Sequence, residues 1–240
     1  MLPPRWARGP VGMLIVAAGM LAVLPVAEAG ANADVRFVHA VPGGTAASLQ
    51  VGGASLPPIG FGSATGYSDV PSGRTDLSLS AGGDTLADLS ETLANGGRYT
   101  VVAAGIPRKS ELIVVRDGRP QGGRARIRAI NAAAELGEVD VDLGGRTVAS
   151  GLAFKDASSY AAVDPGAYAL EAIRPGGEGG ALMTQPGATV PAGSATTAVL
   201  IGSGGERTRF LVRPPVDPES TLQPFGDRPR QHRAFEIRDR

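Results

Sequence analysis

The chain contains no cysteine. That excludes disulfides, thiol catalysis, cysteine-ligated zinc and a lipid anchor on cysteine. Histidine is nearly absent too: only His39 and His232 occur, which closes most routes to acid–base or metal chemistry. Aromatic residues make up 5%, with one tryptophan (Trp6) and four tyrosines, a thin supply for stacking on sugars or bases. No net charge survives, because 23 Lys and Arg balance 23 Asp and Glu. A global field that would draw nucleic acid or store cations is therefore excluded. What the chain does have is 35 glycines, 19 prolines and 42% hydrophobic residues. The apolar share supports a core and rules out a wholly disordered chain. At 240 residues, one or two domains are expected.

The one long apolar run stands at the start. Arg5 and Arg8 precede an uncharged stretch from Val11 to Leu24, Pro25 ends it, and Ala27-Glu28-Ala29 supplies small residues where a signal peptidase reads. A permanent span needs roughly 20 apolar residues, more than this run offers. The reading is a cleavable signal peptide over 1–29, cut after Ala29, with Gly30 as the new N-terminus and no stable membrane insertion afterwards. Losing Arg5, Arg8 and Glu28 leaves the exported protein near neutral.

Beyond the leader, an internal repeat organises the chain. Val35-Arg36-Phe37-Val38-His39-Ala40 aligns with Ile127-Arg128-Ala129-Ile130-Asn131-Ala132, and Leu49-Gln50-Val51-Gly52-Gly53 with Val141-Asp142-Leu143-Gly144-Gly145. With one residue inserted, Phe61, Tyr67, Val70, Gly73 and Leu77 match Phe154, Tyr160, Val163, Gly166 and Leu170. Thr100 to Gly105 then matches Thr197 to Gly202, and Val114-Val115-Arg116 meets Leu211-Val212-Arg213. Two modules follow, 34–118 and 124–215, joined by a short Gly- and Pro-containing linker that permits limited hinge motion.

Inside each module the hydrophobic period is two, the strand signature. Arg124-Ala125-Arg126-Ile127-Arg128-Ala129 and Glu138-Val139-Asp140-Val141-Asp142-Leu143 alternate with opposite charge signs. Paired antiparallel, they would set arginines against carboxylates on a solvent face. Arg74 to Leu79 alternates as well, while Tyr99–Ala104 and Leu112–Val115 read as fully covered strands. Leu86, Leu89 and Leu93 sit at helical spacing, but the window is short and ends on Asn95-Gly96-Gly97, so a bulged strand is expected. Seven or eight short strands per module, with Gly- and Pro-rich turns between, predict two sheets packed face to face. Tyr67 and Tyr160 are either core aromatics or tyrosines whose hydroxyls tie to nearby backbone, as in a tyrosine corner. After Pro215 the pattern dissolves, and 216–240 reads as a disordered tail with a basic cluster at Arg228, Arg230, His232 and Arg233.

The segments VRFVHAVPGGTAASLQVGG (35–53), FGSATGYSDVPSG (61–73) and RYTVVAAG (98–105) resemble the family called domain of unknown function 4397. Its modules occur singly or in tandem in exported bacterial proteins. The resemblance extends to about residue 213. It implies an all-β chain of two tandem immunoglobulin-like β-sandwich modules in an extracytoplasmic setting. It supplies no activity, cofactor or catalytic residue. The second module departs from the pattern, with Asn131 in place of His39 and no aromatic before Thr197-Ala198-Val199.

His39 would need a partnered nucleophile or carboxylate to act, and no GxSxG elbow singles one out; a hydrogen-bonded structural histidine is the reading. Glu138, Asp140 and Asp142 share one strand face, but i, i+2 spacing of about 6.6 Å is too wide for all three to grip one calcium ion. Leu56-Pro57-Pro58-Ile59-Gly60 imitates a sortase motif without its threonine and reads as a loop. Gly60 to Gly66 and Gly202 to Gly205 lack the lysine and helix of a phosphate loop. No catalytic residue, cofactor or metal site is assigned, and the chain is not read as an enzyme.

The expectation is a secreted, non-catalytic structural or interaction protein of the bacterial cell surface or exterior. Its partner would be an extracellular protein or cell-wall polymer, with no nucleic acid. Binding of a wall polymer or carbohydrate through loops at one end of a module is the alternative. A hydrolase is a third reading; it would need a cleft at the junction 119–124 where His39 meets an acidic residue of the other module.

Overall fold

The computed structural model describes residues 32–43, 45–107, 109–119, 123–177, 179–202 and 208–213. Residues 1–29, expected to be a signal peptide, the centre of the linker, most of the Gly202–Gly205 turn and residues 216–240, expected to be a disordered tail, lie outside the described residues. Residues 32–116 form β1 (Asn32–His39), β2 (Ala47–Val51), β3 (Ala54–Ser55), β4 (Ser68–Pro71), β5 (Gly73–Ala81), β6 (Asp84–Leu93), β7 (Arg98–Ile106) and β8 (Lys109–Arg116). Residues 125–213 form β9 (Ala125–Asn131), β10 (Val139–Leu143), β11 (Arg146–Leu152), β12 (Ala161–Val163), β13 (Gly166–Ile173), β14 (Ala181–Val190), β15 (Ala195–Ile201) and β16 (Arg209–Arg213). No helix among the described residues is long and apolar enough to cross a membrane.

The sheet orders repeat strand for strand. The first module holds β4-β1-β7-β8 and β3-β2-β5-β6; the second holds β12-β9-β15-β16 and β11-β10-β13-β14. In both, the first strand runs parallel to the seventh and antiparallel to the fourth. The sequence dictates the enclosure. Alternate residues Val35 and Phe37 of β1, Leu49 and Val51 of β2, Leu77 and Leu79 of β5, and Val101 of β7 are all fully buried in one cluster. Neither sheet could leave that face in water, because each buried side chain of this size contributes about 1.5–3 kcal/mol. The second module encloses Ile127, Val139, Val141, Leu170, Val190 and Leu200 in the same manner.

A third cluster joins the modules. The other face of β1 and β7 offers Val38, Val102 and Ala104, with Ala40 just past β1, and that of β9 and β15 offers Ile130, Val199 and Ile201, with Ala132 just past β9, all buried together. These are equivalent positions of the repeat. The two inner sheets (those containing β1 and β9) therefore meet through the same surface, as in an isologous dimer, with the β2 and β10 sheets outermost. Strands buried on both faces lose the polar alternation expected of a half-exposed sheet.

The expected antiparallel pairing of the arginine and carboxylate strands does not form. β9 pairs with β12 and β15, while β10 pairs with β11 and β13. The chain crosses between sheets at residues 132–138, so the two strands lie in different layers. Arg128 is 3% exposed because its face is covered by the first module. The last-strand alignment also shifts by one. Val101 pairs with Val114, and its equivalent Ala198 pairs with Val212, so Val114 corresponds to Val212 rather than Leu211. The turn before β16 is one residue longer, and in a strand one residue reverses every face. β8 is an edge strand in which only Ser110 and Ile113 are buried, not a fully covered one. The bulge in β6 is present: Leu79 pairs with Ala87 and Ser80 with Thr85, leaving Leu86 as the extra residue, which accounts for the leucine spacing.

The two cores hold their volume in different places. Phe37 in the first corresponds to Ala129 in the second, whereas Ala103 and Leu112 correspond to Leu200 and Phe210. Bulk has moved from the first strand to the seventh and eighth, the kind of volume-conserving exchange a core tolerates. Phe37→Ala alone removes the ring without that compensation. It is expected to destabilise the first module by about 3–5 kcal/mol, measured by denaturant unfolding.

Candidate functional site

Two polar constellations stand out, one at a loop of the first module and one at the seam. His39 ends β1 and is 2% exposed. Its Nδ1 accepts from the Val41 amide at 3.2 Å, and since a backbone N–H only donates, the ring proton sits on Nε2. Nε2–H donates to the Thr45 carbonyl at 3.2 Å. The ring lies between Phe37 and Phe61, with centroids 6.3 and 6.5 Å away. Burial holds its pKa below the ordinary 6.5, partly offset by the bond to Thr45. Beside it lies a cavity of about 210 Å³ lined by His39, Val41, Gly43, Thr45, Ala81, Leu86 and Pro107.

Asn131 performs the same task in the second module. Its Oδ1 accepts from the amide of Ala133, two residues on, and its Nδ2 donates to the carbonyl of Gly137, six residues on, and to Leu152. His39 uses the same two offsets. Both side chains clasp the crossing from the first strand to the second, so the His-to-Asn difference between copies changes the chemistry and keeps the function of the clasp. The hydrolase reading required His39 to meet an acidic residue of the other module. Its ring nitrogens instead engage Val41 and Thr45 of its own.

The seam holds the larger constellation. Arg36 on β1 donates from Nε to the Thr100 hydroxyl on β7 at 2.8 Å; Arg128 on β9 does the same to Thr197 on β15 at 3.2 Å. Between them sits one carboxylate. Asp117, just past β8, is ion-paired with Arg36 at 3.6 Å and with Arg128 in the closest of its contacts. It also accepts from the Thr100 hydroxyl at 2.8 Å and the Tyr67 hydroxyl at 2.6 Å. The side chains of Arg36, Arg128 and Asp117 are all 4% exposed or less. Arg128 further donates to the Arg116 carbonyl at 2.8 Å, tying the end of β8 to the second module.

Tyr67 and Tyr160 flank this group. Guanidinium carbons of Arg98 and Arg36 lie 4.1 and 5.1 Å from the Tyr67 centroid, and those of Arg128 and Arg126 lie 4.9 and 5.2 Å from that of Tyr160, a cation–π arrangement. Burial, with the Asp117 carboxylate adding to it against the nearby arginines, pushes the Tyr67 phenol well above its ordinary value. The Tyr160 hydroxyl accepts from the Gly118 amide at 3.2 Å. Neither tyrosine is a plain core ring, and neither bonds to backbone close by in sequence; they reach Asp117 and Gly118, just past β8. The local tie expected of them belongs to Tyr99, whose hydroxyl accepts from the Ala94 amide at 2.8 Å.

The remaining sequence candidates fall into place. Leu56 is buried and Ile59 bridges Ala47, so 56–60 is a segment folded against β2. The amides of Gly62 and Thr65 donate to His39 and Phe37, which leaves them engaged with β1. Asp140 accepts from the Gly151 amide at 2.7 Å, and among the described residues no group of three His, Cys, Asp or Glu is placed to hold a metal. The tail cluster with His232 lies outside the described residues. Reading by strand alternation missed the seam. The available signal was in the repeat itself: Arg36, Tyr67 and Thr100 recur as Arg128, Tyr160 and Thr197.

The family described as Domain of unknown function (DUF4397) matches residues 33–142 and 130–224. The chain belongs to that family. The two matches overlap from the end of β9 into β10, over residues 130–142. No curated protein matches the chain.

Two outcomes are expected of this DUF4397 protein. Above about pH 6.5, His39 is neutral folded or unfolded and contributes no pH dependence. Below it the unfolded chain takes the proton more readily, so stability falls with pH until the lowered folded-state value is passed. His39→Asn, which reproduces Asn131, should flatten that decline in denaturation midpoints measured from about pH 7.5 to 5. Asp117→Ala leaves two buried guanidinium groups facing each other without a carboxylate. It should cost about 3–5 kcal/mol and separate the modules, seen as a less cooperative thermal transition.

Proposed function

We propose that this chain is an exported, non-catalytic structural or interaction protein of the bacterial cell surface or exterior. Its two immunoglobulin-like β-sandwich modules act as one rigid body. The observation that carries the reading is the Asp117 group, in which the most elaborate buried polar network of the described residues fastens one module to the other. Inter-domain surfaces that move are usually polar and modest in extent; this one adds an apolar cluster drawn from two sheets. The immunoglobulin-like assignment is supported by the four-plus-four strand arrangement and by the Tyr99–Ala94 bond, which resembles a tyrosine corner. Export is supported by the charged start, apolar run and Ala27-Glu28-Ala29 site of the leader. His39, the residue on which hydrolysis would turn, holds a loop with both ring nitrogens.

Binding of a wall polymer is the second reading. A surface groove of about 410 Å³ between β14 and β16, lined by Gln185, Thr189, Pro191 and Phe210 among others, favours it. Expression in a bacterial host, followed by fractionation and N-terminal mass spectrometry, tests the main reading. The mature chain is expected outside the cytoplasmic membrane and beginning at Gly30; an uncut chain held in the cytoplasm would contradict it. Co-sedimentation with purified insoluble cell wall would favour the second reading.

A further inference from the structure

The seam is pseudo-symmetric, but its two corners are not alike. Phe61-Gly62 of the first module corresponds to Phe154-Lys155 of the second. The equivalence extends to the backbone: Gly62 and Lys155 have φ of 73° and 77°, and their amides donate to His39 and Asn131, each at 2.8 Å. The residues facing these corners are equivalent as well. Glu111 pairs with Ala104, and Arg209 pairs with Ile201, its counterpart. At one corner the Lys155 ammonium donates to Glu111 at 2.6 Å. At the other, the exposed Arg209 guanidinium lies 5.8 Å from the Phe61 centroid and rests against Gly62, so that a Cβ there would have to push the end of the arginine aside. Lys155 is the one described residue other than glycine with positive φ, a conformation side chains rarely adopt.

We infer that these four residues, with Asp117, determine which module pairs with which. A second module facing another second module would set Lys155 against Arg209 at both corners, like charge on like charge, with the guanidinium displaced from its place over the phenyl ring. It would also bury two copies of Arg128 without a carboxylate, since the position ninety-eight residues beyond Asp117 is Pro215. A first module facing another first would oppose Glu111 to Gly62 at both corners. No cation would meet the carboxylate and no guanidinium would cover Phe61. Only the unlike pair satisfies both corners and shares one Asp117 between two arginines. The inner sheet is thus an interaction surface that fits a module of the other kind, from its own chain or from a second copy. Discrimination by repulsion and misfit against the wrong partner is how otherwise similar interfaces acquire specificity.

The test uses the full chain, folded and then cut at a protease site placed within residues 120–122, leaving Asp117 on the first half. Size exclusion and native mass spectrometry are expected to find pairs of one first and one second half, even after mixing with an isotope-labelled copy. Separation of the halves, or like pairs at more than about a tenth of the total, would overturn the inference. Gly62→Lys is expected to weaken the pairing of cut halves at least about tenfold, an effect of roughly 1.4 kcal/mol. Adding Arg209→Glu, which recreates the Lys155–Glu111 corner, should restore most of it. The double variant also controls for folding, because both chains carry the same strained lysine. Failure of Arg209→Glu to rescue, or no loss from Gly62→Lys, would refute the role of the corners.

Discussion

One carboxylate between two buried guanidinium groups governs this molecule. Taking charges out of water costs several kcal/mol per ion, and the cost is offset only where geometry and further hydrogen bonds complete the set. Asp117 meets that condition by accepting from Arg128, Thr100 and Tyr67 while ion-paired with Arg36. Because it stands on the linker side of β8 and contacts arginines of both modules, the docked arrangement is the state in which every member is satisfied. Undocking would expose the apolar residues of β1, β7, β9 and β15 together and would part Asp117 from Arg128. The seam therefore combines a nondirectional attraction with a directional lock.

The repeat explains how such a seam arises from one building plan. Each module presents the same stripe, an arginine–threonine pair followed by small and branched apolar residues, and two copies of a stripe can meet about a twofold axis. Within each copy the clasp after the first strand is held by His39 or by Asn131. Those two side chains share little except an acceptor and a donor at matching reach. The pair illustrates that a position can be constrained by hydrogen-bond geometry while its titration behaviour is left free.

Much of the fold was legible because strands with a buried face announce themselves by alternation, and the duplication repeated that announcement. The bulge at Leu86 was legible for the same reason, since the leucine spacing conflicted with a short window closed by Asn95-Gly96-Gly97. The seam was not. Alternation reveals that Arg128 and Ile127 point to opposite faces, but not what covers the arginine face, and a charged residue is assigned to water by default. The pairing of Arg124–Ala129 with Glu138–Leu143 failed through the same assumption, because complementary charges suggested a partnership that the crossing between sheets forbids. The tyrosines misled in a related way: their hydroxyls reach Asp117 and Gly118, fifty and forty-two residues away, a distance no local pattern encodes.

Having both faces of two sheets covered has a consequence for how the gene can drift. A replacement on an outer sheet is judged by its own module alone. One along the seam is judged by the sister copy too, so tolerated changes there arrive as matched exchanges. Gly62 beside Arg209 and Lys155 beside Glu111 are two such matched pairs, at corresponding corners of one seam.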